Sequence, residues 1–172
     1  MIELARVTEV DGAQPCDALS RDYMNWLVSQ LLERHDIIIG PTEVEEIHAA
    51  LASELSILLE DPGRLYLVTD LTQPVGMGIL KPVGPGEGEI KRMYVRPEWR
   101  GKAIGRMVFE RLLEDARLLG YRRLRLETFG FMNAARAMYE AHGFTYTEPF
   151  SGHEGAEHGV AQVQLFMALD LE

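Results

Sequence analysis

The sequence predicts an α/β protein, a mixed sheet of six to seven strands with about four helices on its faces, and three observations carry that prediction. Apolar residues alternate with polar ones over short stretches and recur at helical spacing over four longer ones. The elements run strand, helix, helix, three strands, then helix, strand, helix and two strands, an order that mixes hairpins with a helical crossover. The chain has 172 residues, 47% hydrophobic and 26% charged. With no repeat, linker or low-complexity tract, that suits one domain spanning residues 1–172.

Each element has its own signal. Residues 2–10 alternate well enough for a half-buried strand. From Asp17 to about His35, Leu19, Tyr23, Trp26, Leu27 and Leu31 fall on one helical face. A second helix follows Pro41, with Thr42 and Glu45 spaced as a capping box and Val44, Ile47, Leu51, Leu55 and Leu58 along one side. Asp61-Pro62-Gly63 ends it. Strands are expected over residues 65–69 and 75–80, joined by a tight connection around Thr72-Gln73-Pro74. A Gly/Pro-rich turn over residues 83–86 leads to a third strand at about residues 88–95. Residues 103–119 read as a helix through Ile104, Met107, Val108, Leu112 and Ala116, stopped by Gly120. A short strand at 123–128 then lies parallel to the third, through a right-handed crossover. A helix over 133–142, with Asn133 as its cap, and strands at 144–147 and 163–169 complete the chain.

Composition narrows the function. The net charge of −10 argues against a nucleic-acid surface, which needs clustered cations. The longest apolar runs, such as Ile37-Ile38-Ile39, are far too short to span a bilayer, and the N-terminus has no leader pattern, so neither a membrane nor secretion is expected. A lone Cys16 fits a buried or incidental thiol in a reducing compartment, hence a cytoplasmic location. Against that acidic background, six of the 17 Lys and Arg residues lie between positions 91 and 106. A local cationic patch of this kind points to a small anionic ligand.

The patch coincides with a strand-to-helix turn, Arg96-Pro97-Glu98-Trp99-Arg100-Gly101-Lys102-Ala103-Ile104-Gly105-Arg106. A helix start offers unpaired N–H groups and positive partial charge, and so binds phosphate. Gly101, Ala103 and Gly105 keep the backbone uncrowded, while Arg100, Lys102 and Arg106 add cations. By itself the pattern matches neither the dinucleotide fingerprint nor the Walker loop.

Arg100-Gly101-Lys102-Ala103-Ile104-Gly105 resembles the Arg/Gln-x-x-Gly/Ala-x-Gly/Ala motif of the GNAT superfamily of N-acetyltransferases. The stretches from Glu89 to Glu98 and from Asn133 to Phe144 resemble further motifs of that family, in the same order, over roughly residues 65–170. The resemblance implies a GNAT-like fold with a central, mostly antiparallel twisted sheet. It also implies acetyl-CoA as acyl donor, with no metal. In this picture the strand ending at Val95 splays from its neighbour, so that Met93, Tyr94 and Val95 lie along the pantetheine arm. Residues 100–106 then hold the pyrophosphate, Asn133 touches the cofactor arm, and the N–H near Val95 polarises the thioester carbonyl.

Acyl transfer to an amine needs a base and a proton for the departing thiolate. Glu89 stands where several family members carry a general-base glutamate, directly or through a water. Simple alternation puts Lys91, Met93 and Val95 on its face, with Glu87 as a weaker alternative. Tyr139 holds the position of the family's sulfur-protonating tyrosine. The expected function is therefore acetyl transfer from acetyl-CoA to a primary amine of a small metabolite, by direct attack in a ternary complex. Lys91 and Arg92 hint at an acceptor bearing a carboxylate or phosphate. A protein N-acetyltransferase and a non-catalytic acyl-CoA sensor are the alternatives, and the family often forms homodimers. Ser151-Gly152-His153-Glu154-Gly155-Ala156-Glu157-His158 matches no metal-site spacing and reads as a solvated loop or a wall of the acceptor pocket. Trp26 and Trp99 read as packing residues.

Overall fold

The computed structural model describes residues 1–151 and 159–172. β1 (Ile2–Arg6) leads into α1 (Gln14–His35) and α2 (Pro41–Leu59). Three strands follow, β2 (Arg64–Asp70), β3 (Gln73–Gly84) and β4 (Glu87–Val95). Then come α3 (Ile104–Leu118), β5 (Arg123–Phe129), α4 (Asn133–Ala141), β6 (Thr145–Thr147) and β7 (Gln164–Asp170). The strands form one seven-stranded sheet in the order β1-β2-β3-β4-β5-β7-β6. β4 and β5 pair in parallel and the other neighbours antiparallel, which is the mixed, mostly antiparallel sheet expected.

The helices divide between the two faces. On one, Val108, Phe109, Leu112 and Ala116 of α3 are wholly buried against Val75, Leu80 and Leu124, with Tyr139 of α4 in the same cluster. Burying each of the Val, Leu and Phe side chains among them contributes about 1.5–3 kcal/mol. On the other face, Cys16 and Leu19 of α1 and Leu58 and Leu59 of α2 pack on Leu65, Met77, Ile79 and Tyr94.

Several element ends differ from the sequence expectation for local reasons. β1 stops at Arg6, and Asp11–Ala13 forms a short 3-10 turn into α1. The hairpin between β2 and β3 turns at Leu71 and Thr72, with Leu71 in the left-handed region (φ 57°), so Gln73 and Pro74 already belong to β3. The capping box of α2 sits two residues earlier than Thr42–Glu45. Gly40 precedes the helix and its N–H donates to Glu43 Oε2 at 2.5 Å, because Pro41 occupies the first helical position, where a missing N–H costs nothing. Asn133 is the first residue of α4 and no side chain caps that helix.

The most consequential departure is in β4. Ile79 pairs with Lys91 and Met77 with Tyr94, so Gly78 alone faces Arg92 and Met93. This is a β-bulge, with Arg92 at φ 50°. The extra residue reverses the alternation. Ile90, Met93 and Val95 pack on the α3 side, whereas Glu89, Lys91, Arg92 and Tyr94 face α1. Glu89 and Lys91 therefore do not share a face with Met93 and Val95, contrary to simple alternation. The bulge also bends β4 away from β5. Their pairing runs from Glu87↔Arg123 to Ile90↔Leu126 and stops there, while β5 continues to Phe129 alongside β7. The expected splay is thus present.

Gly78 makes room for this arrangement. A Cβ there would lie 2.5 Å from Val108 Cγ1 and 2.7 Å from Met93 Sδ. Gly78→Ala is expected to destabilise the protein by about 1–3 kcal/mol, the usual cost of overpacking, measurable by urea denaturation.

Candidate functional site

The β4–β5 pairing ends at Ile90, and around and beyond that point β4 lines a cavity on each face. On the α3 side, a cleft is lined by Met93, Tyr94 and Val95, by Arg100, Gly101, Ala103, Ile104, Gly105 and Arg106 of the turn, and by Tyr139. Nearly all the residues expected around the cofactor therefore meet in one place. Two do not. Lys102 is exposed, its ammonium 5.8 Å from the centre of the Trp99 ring. Asn133 is exposed at the tip of α4, whose cleft-facing stripe is Ala134, Ala135, Met138 and Tyr139.

The turn is built for an anion. Gly101 (φ 76°) and Ala103 (φ 60°) both adopt left-handed conformations, reversing the chain just ahead of α3. A Cβ on Gly101 would meet nothing within 4 Å, so glycine serves the dihedral there rather than the space. The first backbone bond of the helix is Met107 N–H to Ala103 O at 3.0 Å, and no side chain caps its start. The N–H groups of the first turn are left for a ligand. That donor set and its open backbone fit a pyrophosphate.

The edge of β4 offers a further donor. Arg96 N–H bonds Val75 O across β3 at 2.9 Å, and strand N–H groups alternate in direction, so Val95 N–H faces the side β5 has left. The Val95 carbonyl, on that same side, accepts from Arg100 Nε at 3.0 Å. The Arg100 guanidinium lies 5.2 Å from the Trp26 ring and 5.9 Å from that of Tyr94, and Arg96 pairs with Asp22 of α1 at 3.0 Å. Trp26 thus packs between Arg100 and Phe131, and Trp99 packs against the main core.

On the opposite face, a pocket between the sheet and α1 is lined by Tyr23, Glu89, Lys91, Arg92, Glu127 and Gln164, with apolar walls from α1, α2 and Phe129. Glu89 is 4% exposed; its Oε2 accepts from Arg125 Nε and lies 3.0 Å from Nη2, and Lys91 Nζ stands 3.7 Å from Oε1. Glu87 is exposed at the start of β4 and is not part of the lining. Glu127 accepts from the Gln164 amide and sits on β5 just past the last β4–β5 pair. Sequence reasoning passed over Glu127, Gln164 and Tyr23. The alternation Arg125, Glu127 along β5 was an available signal for the first; helical periodicity marked Tyr23 only as a packing residue, and nothing local marked Gln164.

Tyr139 is 5% exposed and lines the α3-side cleft, its ring 5.1 Å from that of Phe109. Burial pushes its phenol well above the usual tyrosine range, and the Tyr23 phenol from the opposite face adds in the same direction. It therefore stays protonated through neutral pH. Cys16 is buried in the α1–α2 core, and burial pushes its thiol up to about 12, as an inert packing residue requires. Among the described residues no group of three or more His, Cys, Asp and Glu is placed to hold a metal ion, and no helix is long and apolar enough to cross a membrane. His153, Glu154, Glu157 and His158 lie outside the described residues.

Comparison with known proteins agrees with this geometry. A profile of the Acetyltransferase (GNAT) family matches residues 23–144. The chain is 33% identical over 141 residues to the IAA acetyltransferase of Azospirillum brasilense, covering 81% of this chain and 88% of the relative. It is 36% identical over 98 residues to the N-acetyltransferase YsnE of Bacillus subtilis, covering 56% and 62%. Among solved structures, the PaiA N-acetyltransferase of Thermoplasma acidophilum in complex with coenzyme A superposes with a TM-score of 0.71 at 15% identity, over 99% of both chains. The ribosomal-protein-S18-alanine N-acetyltransferase of Escherichia coli gives 0.66 at 17%, over 100% of this chain and 95% of that one. By both the profile and the relatives, this chain belongs to the Acetyltransferase (GNAT) family.

Proposed function

We propose that this single-domain protein moves an acetyl group from acetyl-CoA to a primary amine of a small cytoplasmic metabolite, by direct attack with both substrates bound. One observation carries the proposal: the part of β4 around and beyond its last pair with β5 lines both cavities, the donor-side cleft through Met93, Tyr94 and Val95 and the α1-side pocket through Glu89, Lys91 and Arg92. An amine in the pocket can then meet a thioester in the cleft with no covalent enzyme intermediate. α1 and α2 wall the pocket, which favours a small acceptor over an extended peptide.

Bound acetyl-CoA supplies an activated acyl carbon and a thiolate leaving group. The N–H groups of residues 104–106, with Arg100 and Arg106, bind its phosphates, and Val95 N–H draws negative charge onto the carbonyl oxygen. The amine lone pair forms the C–N bond as the C–S bond breaks. A pocket carboxylate takes the ammonium proton, and Tyr139 gives its proton to sulfur. Glu89 has the position for the base, but its carboxylate is committed to Arg125 and Lys91. Glu127, which lines the pocket just past the last β4–β5 pair, is the candidate favoured by position.

A panel of primary amines, followed by release of CoA thiol and by mass spectrometry of the product, tests the function; no transfer to any amine would overturn it. Glu127→Gln is expected to lower kcat/KM for the amine by roughly 10²-fold. Glu89→Gln is expected chiefly to destabilise the fold by about 3 kcal/mol, since it strands the Arg125 charge. A reversal of the two effects would return the base to Glu89.

A further inference from the structure

The α1-side pocket runs against the start of β7. Gln164 is the first residue of that strand, with its backbone N–H bonded to Val160 O at 3.1 Å and Phe129 of β5 opposite it. Its side chain lines the pocket together with Glu127, and the residue is 9% exposed. The carboxamide donates through Nε2 to Glu127 Oε2. An ionised carboxylate only accepts, so the amide nitrogen must face Glu127 and Oε1 is left to find another partner. That oxygen is buried and has no hydrogen-bond partner among the described residues. Folded chains pair most such groups, and the exceptions mark places where a ligand or an ordered water completes the bond.

The rest of the lining narrows what a donor to Oε1 can be attached to. Met24, Leu27 and Leu31 of α1, Ile47 of α2, Phe129 and Val160 wall the same pocket. They form one apolar cluster, and each is buried. Walls of this kind favour methyl and methylene groups, and burying an unpaired polar or charged chain against them is costly. Glu89, the other carboxylate of the lining, is matched by Arg125 and Lys91.

We infer that Gln164 orients the acceptor amine through Oε1, and that the acceptor is a primary amine on an aliphatic chain. A neutral primary amine has two N–H bonds and a lone pair. As the C–N bond forms and the C–S bond breaks, one N–H proton passes to the pocket carboxylate and sulfur takes a proton from Tyr139. The other N–H remains in the amide product, and it is the one that Oε1 accepts. With one hydrogen held by the carboxylate and one by Gln164, the lone pair has a single direction left for attack. A secondary amine loses its one N–H in the reaction and has none for Gln164, which makes this residue specificity-determining. The assignment rests on the acetyl-transfer reading and names its acceptor class.

The test sets n-butylamine, n-pentylamine and 3-methylbutylamine each against its N-methyl derivative. Binding is read by calorimetry in the presence of CoA, and transfer by product formed from acetyl-CoA. The wild type is expected to prefer each primary amine by roughly tenfold or more, the usual value of a hydrogen bond to a buried acceptor. Gln164→Met keeps the length of the side chain and removes Oε1, and should cut that preference roughly tenfold. Lost support for Glu127 would weaken both members of a pair alike and leave the ratio unmoved. Gln164→Glu keeps an oxygen in place of Oε1, while a proton shared with Glu127 replaces the Nε2 bond, so it should retain most of the preference. Thermal melts check folding, and Gln164→Leu replaces Gln164→Met if the latter does not fold. A ratio near one in the wild type overturns the assignment without any variant. An unchanged ratio in a folded Gln164→Met also overturns it and leaves Oε1 holding only a buried water. From ethylamine to n-butylamine, affinity should rise roughly threefold to fourfold per methylene. A flat series, tighter binding of 1,4-diaminobutane than of n-butylamine, or no binding by any probe would overturn the aliphatic class. Preference in binding with no acetylated product from any amine would overturn the proposed function and spare Gln164. Product formed with no such preference would do the reverse.

Discussion

Tyr139→Phe is expected to lower kcat by roughly 10²-fold or more, the usual contribution of a positioned general acid, while the affinity for acetyl-CoA stays near wild type. The ring keeps its place, because Phe109 and Phe144, with centroids 5.1 and 6.1 Å away, hold it by packing. Only the hydroxyl is lost, and with it the proton for the departing sulfur. The pH dependence follows from burial. Because the folded site favours the neutral phenol, Tyr139 remains a donor above the pH at which an exposed tyrosine ionises. In the wild type kcat should therefore show no alkaline fall assignable to this residue below about pH 10. Steady-state kinetics from pH 6 to pH 10 and a CoA titration check both points; an unchanged kcat would remove Tyr139 from the mechanism.

Gly105→Asp is expected to separate stability from binding. Gly105 is the second residue of α3, and a Cβ there would come no closer than 3.8 Å, to Val95 Cγ2. The fold thus tolerates a side chain, and an acid in the first turn of a helix contributes about 0.3–1 kcal/mol of stabilisation. The same carboxylate would stand in the cleft where phosphate is expected, competing for the N–H groups and repelling the anion. CoA affinity should fall by about 10²-fold or more, since an opposed like charge costs several kcal/mol. A thermal melt that holds or rises together with a lost calorimetric signal is the expected pair of results. Wild-type affinity for CoA in the variant would mean that the phosphates do not sit on this turn.

Much of this organisation is written locally. The periodicities of α1, α3 and the strands, and the Pro and Gly signals around them, depend on near neighbours in the chain, so they are legible without the fold. The turn from Arg96 to Arg106 is legible for the same reason, because a helix start with glycine and clustered cations is a short-range feature. Tyr139 was identifiable only through the motif around it, and its protonated state comes from burial, with Phe109 of α3 and Phe144 just beyond the end of α4 packed on its ring.

Tertiary structure decided what each face of β4 does. One extra residue at Arg92 reverses the alternation, and that bulge depends on Gly78 of another strand admitting Met93 beside Val108. No pattern within β4 reveals it. In consequence Glu89, chosen on position, is buried against Arg125, while Glu127 and Gln164, unremarkable in sequence, meet across β5 and β7 just past the last β4–β5 pair. The sequence alone determined the fold class, the family resemblance and the place of the glycine- and cation-rich turn before α3, since these rest on local propensity and short motifs. The partners of each carboxylate and the shape of the acceptor pocket were decided only by the fold, because they are contacts between residues far apart in the chain.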